Sequence, residues 1–194
     1  WNFVPYAATF AISLILLAFA LALREKVWLS LLLLLLGGLF HPGVTLHACV
    51  IFGIFLSLQG IKTSAYSHTL RYLAGIAFVA LLVMLPSLWV QAIINFDPLD
   101  LDETIEGLRQ NQHHWPWGFK NRWYLSLAAM ATWSMLAIVS LLNKGRNRDG
   151  VTLCLSSFIG ACMMGLSQIM GAFYEVPFLI SFIGLRSFAW VCLF

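Results

Sequence analysis

Long uncharged runs of apolar residues, separated by short polar stretches, divide this chain. The first run extends from Phe3 to Leu23 and ends at the charged cluster Arg24-Glu25-Lys26. An α-helix of about 20 apolar residues is long enough to cross the ~30 Å hydrocarbon core of a bilayer. The pattern therefore predicts a first transmembrane helix from Phe3 to Leu23.

The next uncharged run, residues 27–61, is too long for a single span and must fold back. His41-Pro42 provides the break, since proline removes a backbone donor and pushes its predecessor out of the helical region. The helix before the break, Val27 to Phe40, would reach only ~21 Å against a ~30 Å hydrocarbon core. We therefore expect the His41 turn to lie below the membrane surface.

The remaining apolar runs predict an all-α chain, a polytopic transmembrane helix bundle of about seven spans or part-spans. Pro86 indicates a kink late in the fourth span. In the sixth span, small residues recur at four-residue spacing, which is typical of a helix that packs closely on its neighbours. The spans after the His41 turn are Val44 to Leu58, Tyr72 to Ile94, Trp123 to Leu142, Val151 to Met170 and a last one from Phe178 onward.

The one long polar segment, residues 95–122, contains a short amphipathic pattern. Leu101, Ile105 and Leu108 recur at helical spacing, while charged residues fill the other face. A helix with this division of faces suits the membrane–water interface. The sequence thus predicts an interfacial helix from Asp100 to Gln110.

Composition narrows the class of protein. Of the 194 residues, 61% are hydrophobic and 10% are charged, and such a chain cannot cover a water-facing surface of its size. Soluble enzymes and nucleic-acid-binding proteins are therefore excluded, and the lipid bilayer is the expected partner. Because Trp1 and Phe194 both lie in uncharged apolar runs, we expect residues 1–194 to be a single transmembrane domain within a longer protein.

The basic residues predict an orientation for the spans. If the loop at Arg24 and Lys26 is cytoplasmic, alternation of the spans puts seven Lys and Arg residues on that side and three on the other. An excess of Lys and Arg marks the cytoplasmic side. The His41 turn, the 95–122 segment and Glu175 are then extracytoplasmic.

Four polar residues on that face are candidates for substrate binding. His41 could bind a ligand phosphate, relay a proton or bind a metal, or it could simply cap a buried turn. Arg109, His113 and His114 follow one another in the polar segment, which could equally be a solvated interfacial loop. The histidines and cysteines do not have the spacing of a zinc site, so no metal site is predicted. The residues do not indicate a particular cofactor. The four cysteines lie in apolar runs and are expected to be small core residues.

Arg186 is the strongest single candidate for substrate binding. It lies nine residues past Pro177 in an apolar run, which is ~13 Å along a helix from the predicted external surface. A guanidinium at that depth requires an anionic partner. The candidates are Glu175, a carboxylate elsewhere in the longer protein, and a lipid phosphate. A purely structural ion pair is the alternative.

Three short motifs support a resemblance to a known group of proteins. They are the His41-Pro42 turn after a short apolar helix, the polar run with Arg109, His113, His114 and Pro116, and Leu185-Arg186-Ser187 in a late span. With these motifs the chain resembles bacterial polytopic membrane proteins of uncharacterised function that are similar to GT-C glycosyltransferases. The resemblance covers most of the chain.

The resemblance implies an enzyme of the bacterial inner (plasma) membrane that uses a polyprenyl-phosphate-linked sugar at the extracytoplasmic face. It also implies that the catalytic carboxylate precedes Trp1, that Arg186 and His41 contact the donor phosphate, and that His113 and His114 line the entrance for substrate. Two other functions stay open from the residues alone. A transporter would also use a broken helix and an intramembrane arginine, and a structural membrane subunit would need no polar residue inside.

Overall fold

The computed structural model describes residues 4–93, 101–110, 131–132, 135–136, 138–139 and 148–176, and it divides the chain into two compact units, Trp1–Ile94 and Asn95–Phe194. Within the described ranges the chain is helical and forms no strand, which confirms the all-α prediction. The helices are α1 (Val4–Ala22), α2 (Val27–Phe40), α3 (Pro42–Thr63), α4 (Tyr66–Ile93), α5 (Leu101–Gln110) and α6 (Arg148–Phe173).

The first unit is an up-and-down bundle of α1 to α4. Phe10 in α1 packs on Phe40 at the end of α2, with 4.6 Å between ring centroids, so α1 and α2 are antiparallel. Phe19 in α1 meets Phe52 in α3, with 5.3 Å between ring centroids. Thr45 near the start of α3 and Ile15 of α1 both lie against Gly37. Because Ile15 precedes Phe19 and Thr45 precedes Phe52, α1 and α3 run in the same direction.

The glycines of the first unit show where its helices approach most closely. Gly38 in α2 lies directly against Val83 in α4, and a Cβ atom at this glycine would overlap the valine side chain. Gly60 near the end of α3 lies in the same way against Thr69 near the start of α4. Small residues at helix contacts permit the close van der Waals packing that stabilises helix pairs in lipid. The fully buried large apolar side chains of the unit are Ile15, Phe19, Leu34, Ile51, Phe52 and Phe55.

Two tight turns close the basic end of the first unit, and both contain a residue with left-handed backbone. Glu25 has φ of 63° and Ser64 has φ of 56°. The Lys26 amide donates to the Leu21 carbonyl at 2.9 Å, and the Ser64 amide donates to the Gly60 carbonyl. Each turn thus satisfies carbonyl groups at the end of the preceding helix.

The predicted start of the fourth span at Tyr72 is wrong, because the polar stretch around His68 belongs to the helix. Only Ser64 and Ala65 separate α3 from α4, which begins at Tyr66. The helix extends into the polar stretch because a helix satisfies its own backbone groups at any depth, while long charged side chains extend towards water. The same α4 continues through Pro86 to Ile93.

Three described helices are long and apolar enough to cross a bilayer: α3, the Tyr66–Pro86 part of α4 and the Asp149–Phe173 part of α6. They are compatible with an integral membrane protein that associates with lipid. The apolar helices α1 and α2 are shorter, and α2 has the 14 residues predicted for it. The number of seven spans stays a prediction, since most of 123–142 and everything from 177 onward lie outside the described residues.

In the second unit, α5 begins one residue after the predicted Asp100 and ends at the predicted Gln110. Ile105 is buried, whereas Glu106 and Arg109 are exposed, as an amphipathic helix requires. The small residues of the predicted packing face of α6 are mostly buried, and Ser156, Gly160, Ala161 and Gly165 are among them. Cys49 and Cys154 are core residues, but Cys162 is exposed, which corrects the expectation for it. Cys192 lies outside the described residues.

Candidate functional site

His41 is the single residue between α2 and α3, and its side chain caps α3. Its backbone is extended, with φ of −152° and ψ of 90°. The Val44 amide donates to Nδ1 of the imidazole at 3.3 Å, which satisfies one of the amides that a helix start leaves without a partner. The capping role considered for this histidine is therefore present, and Pro42 at the first helical position completes the helix start.

The capping bond also fixes what else the imidazole can do. A nitrogen that accepts a hydrogen bond carries no proton, so in the neutral ring Nε2 carries it and acts as a donor. His41 is half-buried, so part of the ring is accessible. The ring can thus cap α3 through one nitrogen and donate to an anionic ligand through the other.

Thr45, one turn after His41, has a buried hydroxyl that sequence reasoning did not single out. The residue has no exposed surface, and its Oγ1 makes no hydrogen bond within the described part of the chain. It lies against Gly37 of α2, a glycine that also lies against Ala11 of α1. A buried hydroxyl without a partner costs about 1–3 kcal/mol, and no pattern in the sequence distinguishes it from the many bonded Ser and Thr residues.

Arg109 at the end of α5 forms an ion pair with Glu175 in the turn after α6. Nη2 donates to Oε1 of Glu175 at 2.6 Å, and Nη1 lies 3.7 Å from Oε2 of Glu106 one turn earlier. The three side chains remain about half exposed, at 45% for Arg109, 57% for Glu106 and 49% for Glu175. The pair joins two residues that the sequence assigns to the same face of the membrane.

The turn that contains Glu175 is well defined. The Val176 amide donates to the Gly171 carbonyl at 2.8 Å, and the Tyr174 amide donates to the Met170 carbonyl at 2.9 Å. Glu175 itself has a left-handed backbone with φ of 56°. A non-glycine residue in this conformation is uncommon, and the turn directs the carboxylate to Arg109.

The structure describes two of the candidate regions and not the others. His41 and Arg109 have defined partners, whereas His113, His114 and Arg186 lie outside the described residues. His47, a further histidine in α3, is buried. Within the described ranges, no three His, Cys, Asp or Glu side chains come together as a metal ion would require.

Glu175 is a possible partner of Arg186 by sequence, and its pairing with Arg109 was not predicted. The only signal available in the sequence was that both residues were assigned to one face of the membrane.

Comparison with known proteins assigns neither a family nor a function to the chain. The chain matches no protein-family model, no curated protein and no solved structure.

Proposed function

We propose that the protein is a GT-C-like transferase of a bacterial inner membrane, which binds a polyprenyl-phosphate-linked sugar at its extracytoplasmic face. The reaction and the substrate class come from the resemblance of the sequence to proteins similar to GT-C glycosyltransferases. The proposed phosphate-binding residue is Arg186, and His41 is a further donor on the same predicted face.

One observation in the structure supports this role for Arg186. The local ion pair that would otherwise explain an arginine in an apolar span is a contact with Glu175. That carboxylate already accepts a 2.6 Å hydrogen bond from Arg109. Arg109 already neutralises part of the charge of that carboxylate, so we expect Arg186 to have a second anion as its partner, and a lipid phosphate has matching charge and geometry.

His41 supports the same chemistry from its own position. With Nδ1 occupied by the Val44 amide, Nε2 is the nitrogen that donates. A neutral donor of this kind binds a phosphate oxygen without the cost of placing a second full charge at membrane depth. Arg109 holds the Glu175 turn, so we expect it to affect binding through the position of that turn.

Binding of polyprenyl phosphate to the protein in lipid nanodiscs tests the proposal. Arg186→Leu should weaken binding about tenfold or more, since a hydrogen bond to a charged group contributes about 1.5–3 kcal/mol. Arg186→Lys should weaken it less, because the charge is kept and the two-pronged geometry is lost. Arg148→Leu removes the same charge at the opposite predicted face and should leave binding unchanged.

Two results decide against this function. If Arg186→Leu binds polyprenyl phosphate as tightly as the parent, the phosphate role is wrong. If the parent binds the lipid but the protein releases no polyprenyl phosphate from a polyprenyl-phosphate-linked sugar, the transferase assignment is wrong and binding alone remains.

A further inference from the structure

A cavity of about 340 Å³ opens between the two turns at the basic end of the first unit. Its walls are apolar where they meet the bundle, with the buried side chains of Val27 and Leu56. Its polar groups come from the turns and the adjoining helix ends, and they include Glu25, Thr63 and His68. A recess that is apolar at its base and polar at its opening fits an amphipathic molecule.

Four basic residues are direct chain neighbours of residues that line this cavity. Arg24 and Lys26 flank Glu25 in the first turn, Lys62 lies in the last turn of α3, and Arg71 lies near the start of α4. All four are exposed, and together they outnumber the single carboxylate of Glu25. The net positive charge favours an anionic ligand at the opening.

The peptide groups at this end add to the positive field. Lys26 occupies the N-cap position of α2 and its side chain makes no capping hydrogen bond. The amides of the first turn of α2 therefore point towards this end without a side-chain acceptor from the cap residue. Both the backbone and the basic side chains thus favour a phosphate group here.

Aromatic side chains at the same end indicate the level of the lipid headgroups. Trp28 packs edge-on against Tyr72, with 5.6 Å between ring centroids, and Tyr72 also lines the cavity. Trp28 and Tyr66 are each more than 60% exposed. Exposed Trp and Tyr residues concentrate at membrane–water interfaces, so we expect the opening of the cavity to lie at the level of the phospholipid phosphates.

We propose that this cavity binds the headgroup of an anionic phospholipid, with the phosphate among Arg24, Lys26 and Arg71. The acyl chains follow the exposed apolar faces of α2 and α4, where Leu32 and Leu70 are more than half exposed. The site lies at the end of the first unit opposite His41. It differs in position and ligand from the proposed transferase site, and it does not depend on that function.

Retention of phosphatidylglycerol during stepwise removal of lipid, measured by native mass spectrometry of the intact chain, tests this site. Each basic residue near a membrane surface contributes about 1 kcal/mol to anionic lipid binding, which is about fivefold. Lys26→Gln and Arg71→Gln should each reduce retention of phosphatidylglycerol relative to phosphatidylcholine by about that factor. Glu25→Gln should increase retention, because it removes the acidic group that lines the cavity.

A charge effect alone must be separated from binding in the cavity. Ala65→Leu adds bulk to the lining without changing charge and should reduce retention as strongly as Lys26→Gln. Thr63→Leu fills the same space from α3 and replaces it if Ala65→Leu loses helical circular dichroism. Arg146→Gln removes a charge on the same predicted side but in the second unit, and retention should not change.

Three outcomes would overturn the assignment. One is equal retention of phosphatidylglycerol and phosphatidylcholine by the parent. Another is full retention in a folded variant whose cavity is filled. The third is displacement of the bound phosphatidylglycerol by inorganic phosphate alone, which would show a site for free phosphate and not for a lipid.

Discussion

Arg109 and Glu175 are separated by 66 positions in the sequence, yet Nη2 of the arginine donates to Oε1 of the glutamate at 2.6 Å. The bond connects the end of α5 to the turn after α6. The contact of the guanidinium with Glu106 is longer, at 3.7 Å, so the pair with Glu175 is the closer of the two. Both partners remain about half exposed, so water and salt weaken their attraction.

We expect Glu175→Gln to destabilise the protein only slightly, by about 0.2–1 kcal/mol, as is usual for exposed ion pairs. The loss should shrink as the salt concentration rises, because salt screens exposed charges. Thermal unfolding in detergent at low and high salt measures it, and Glu106→Gln is the matched control with a smaller expected effect. A loss of several kcal/mol that is insensitive to salt would contradict this account.

His41→Ala should cost about 0.5–2 kcal/mol of stability, since it removes the side-chain acceptor for the Val44 amide. His41→Asn should recover most of the loss, because asparagine is a good N-cap residue but has no imidazole. Unfolding followed by circular dichroism measures both variants. Equal destabilisation by the two would show that α3 gains little from the cap.

The comparison of these variants also separates capping from ligand binding at His41. His41→Asn keeps the cap and removes Nε2. If binding of polyprenyl phosphate falls in this variant while stability is kept, the imidazole has a role beyond the cap. Unchanged binding would leave the cap as its whole role.

Gly38→Ala should destabilise the first unit by about 1–3 kcal/mol, the usual cost of overfilling a packed contact. The added methyl group would overlap the Val83 side chain. The double variant Gly38→Ala with Val83→Ala should recover much of the loss, since it restores space at the contact. Gly107→Ala is the matched control: nothing lies within 4 Å of a Cβ there, and in a helix alanine should be neutral or stabilising.

Labelling of single cysteines tests the membrane orientation. In a variant without the native cysteines, Glu25→Cys and Ser67→Cys should react with an impermeant maleimide from the same side of the membrane. The structure places Glu25 in a turn and Ser67 in the first turn of α4, at the same end of the first unit. Glu106→Cys should react from the opposite side, as the excess of basic residues predicts. Labelling of Glu25→Cys and Glu106→Cys from the same side would refute that orientation.

Features that depend on local chemistry were predictable from the sequence. The break at His41 follows from Pro42, and α5 follows from the spacing of its apolar residues around Ile105. The predicted start of α4 at Tyr72 is six residues too late, because the side chains near His68 are polar although the backbone there is helical. Polarity indicates contact with water, and at the edge of a membrane it does not indicate the end of a helix.

Features that depend on packing between distant segments were not predictable. The pairing of Arg109 with Glu175 requires α5 and α6 to meet in one register, which no local pattern encodes. The unsatisfied hydroxyl of Thr45 likewise results from how α1, α2 and α3 meet. For His41 the sequence allowed both a cap and a ligand, and only the position of Nδ1 shows the cap.

The short length of α2 also affects how the chain can be inserted into a membrane. Its 14 residues are fewer than the ~20 that a spanning helix usually contains, so α2 alone is a weak signal for insertion. It packs antiparallel on α1, with Phe10 against Phe40. The two helices can therefore leave the translocon as one hairpin, in which the longer α1 compensates for the short length of α2. The hairpin is complete only when synthesis has reached the end of α2.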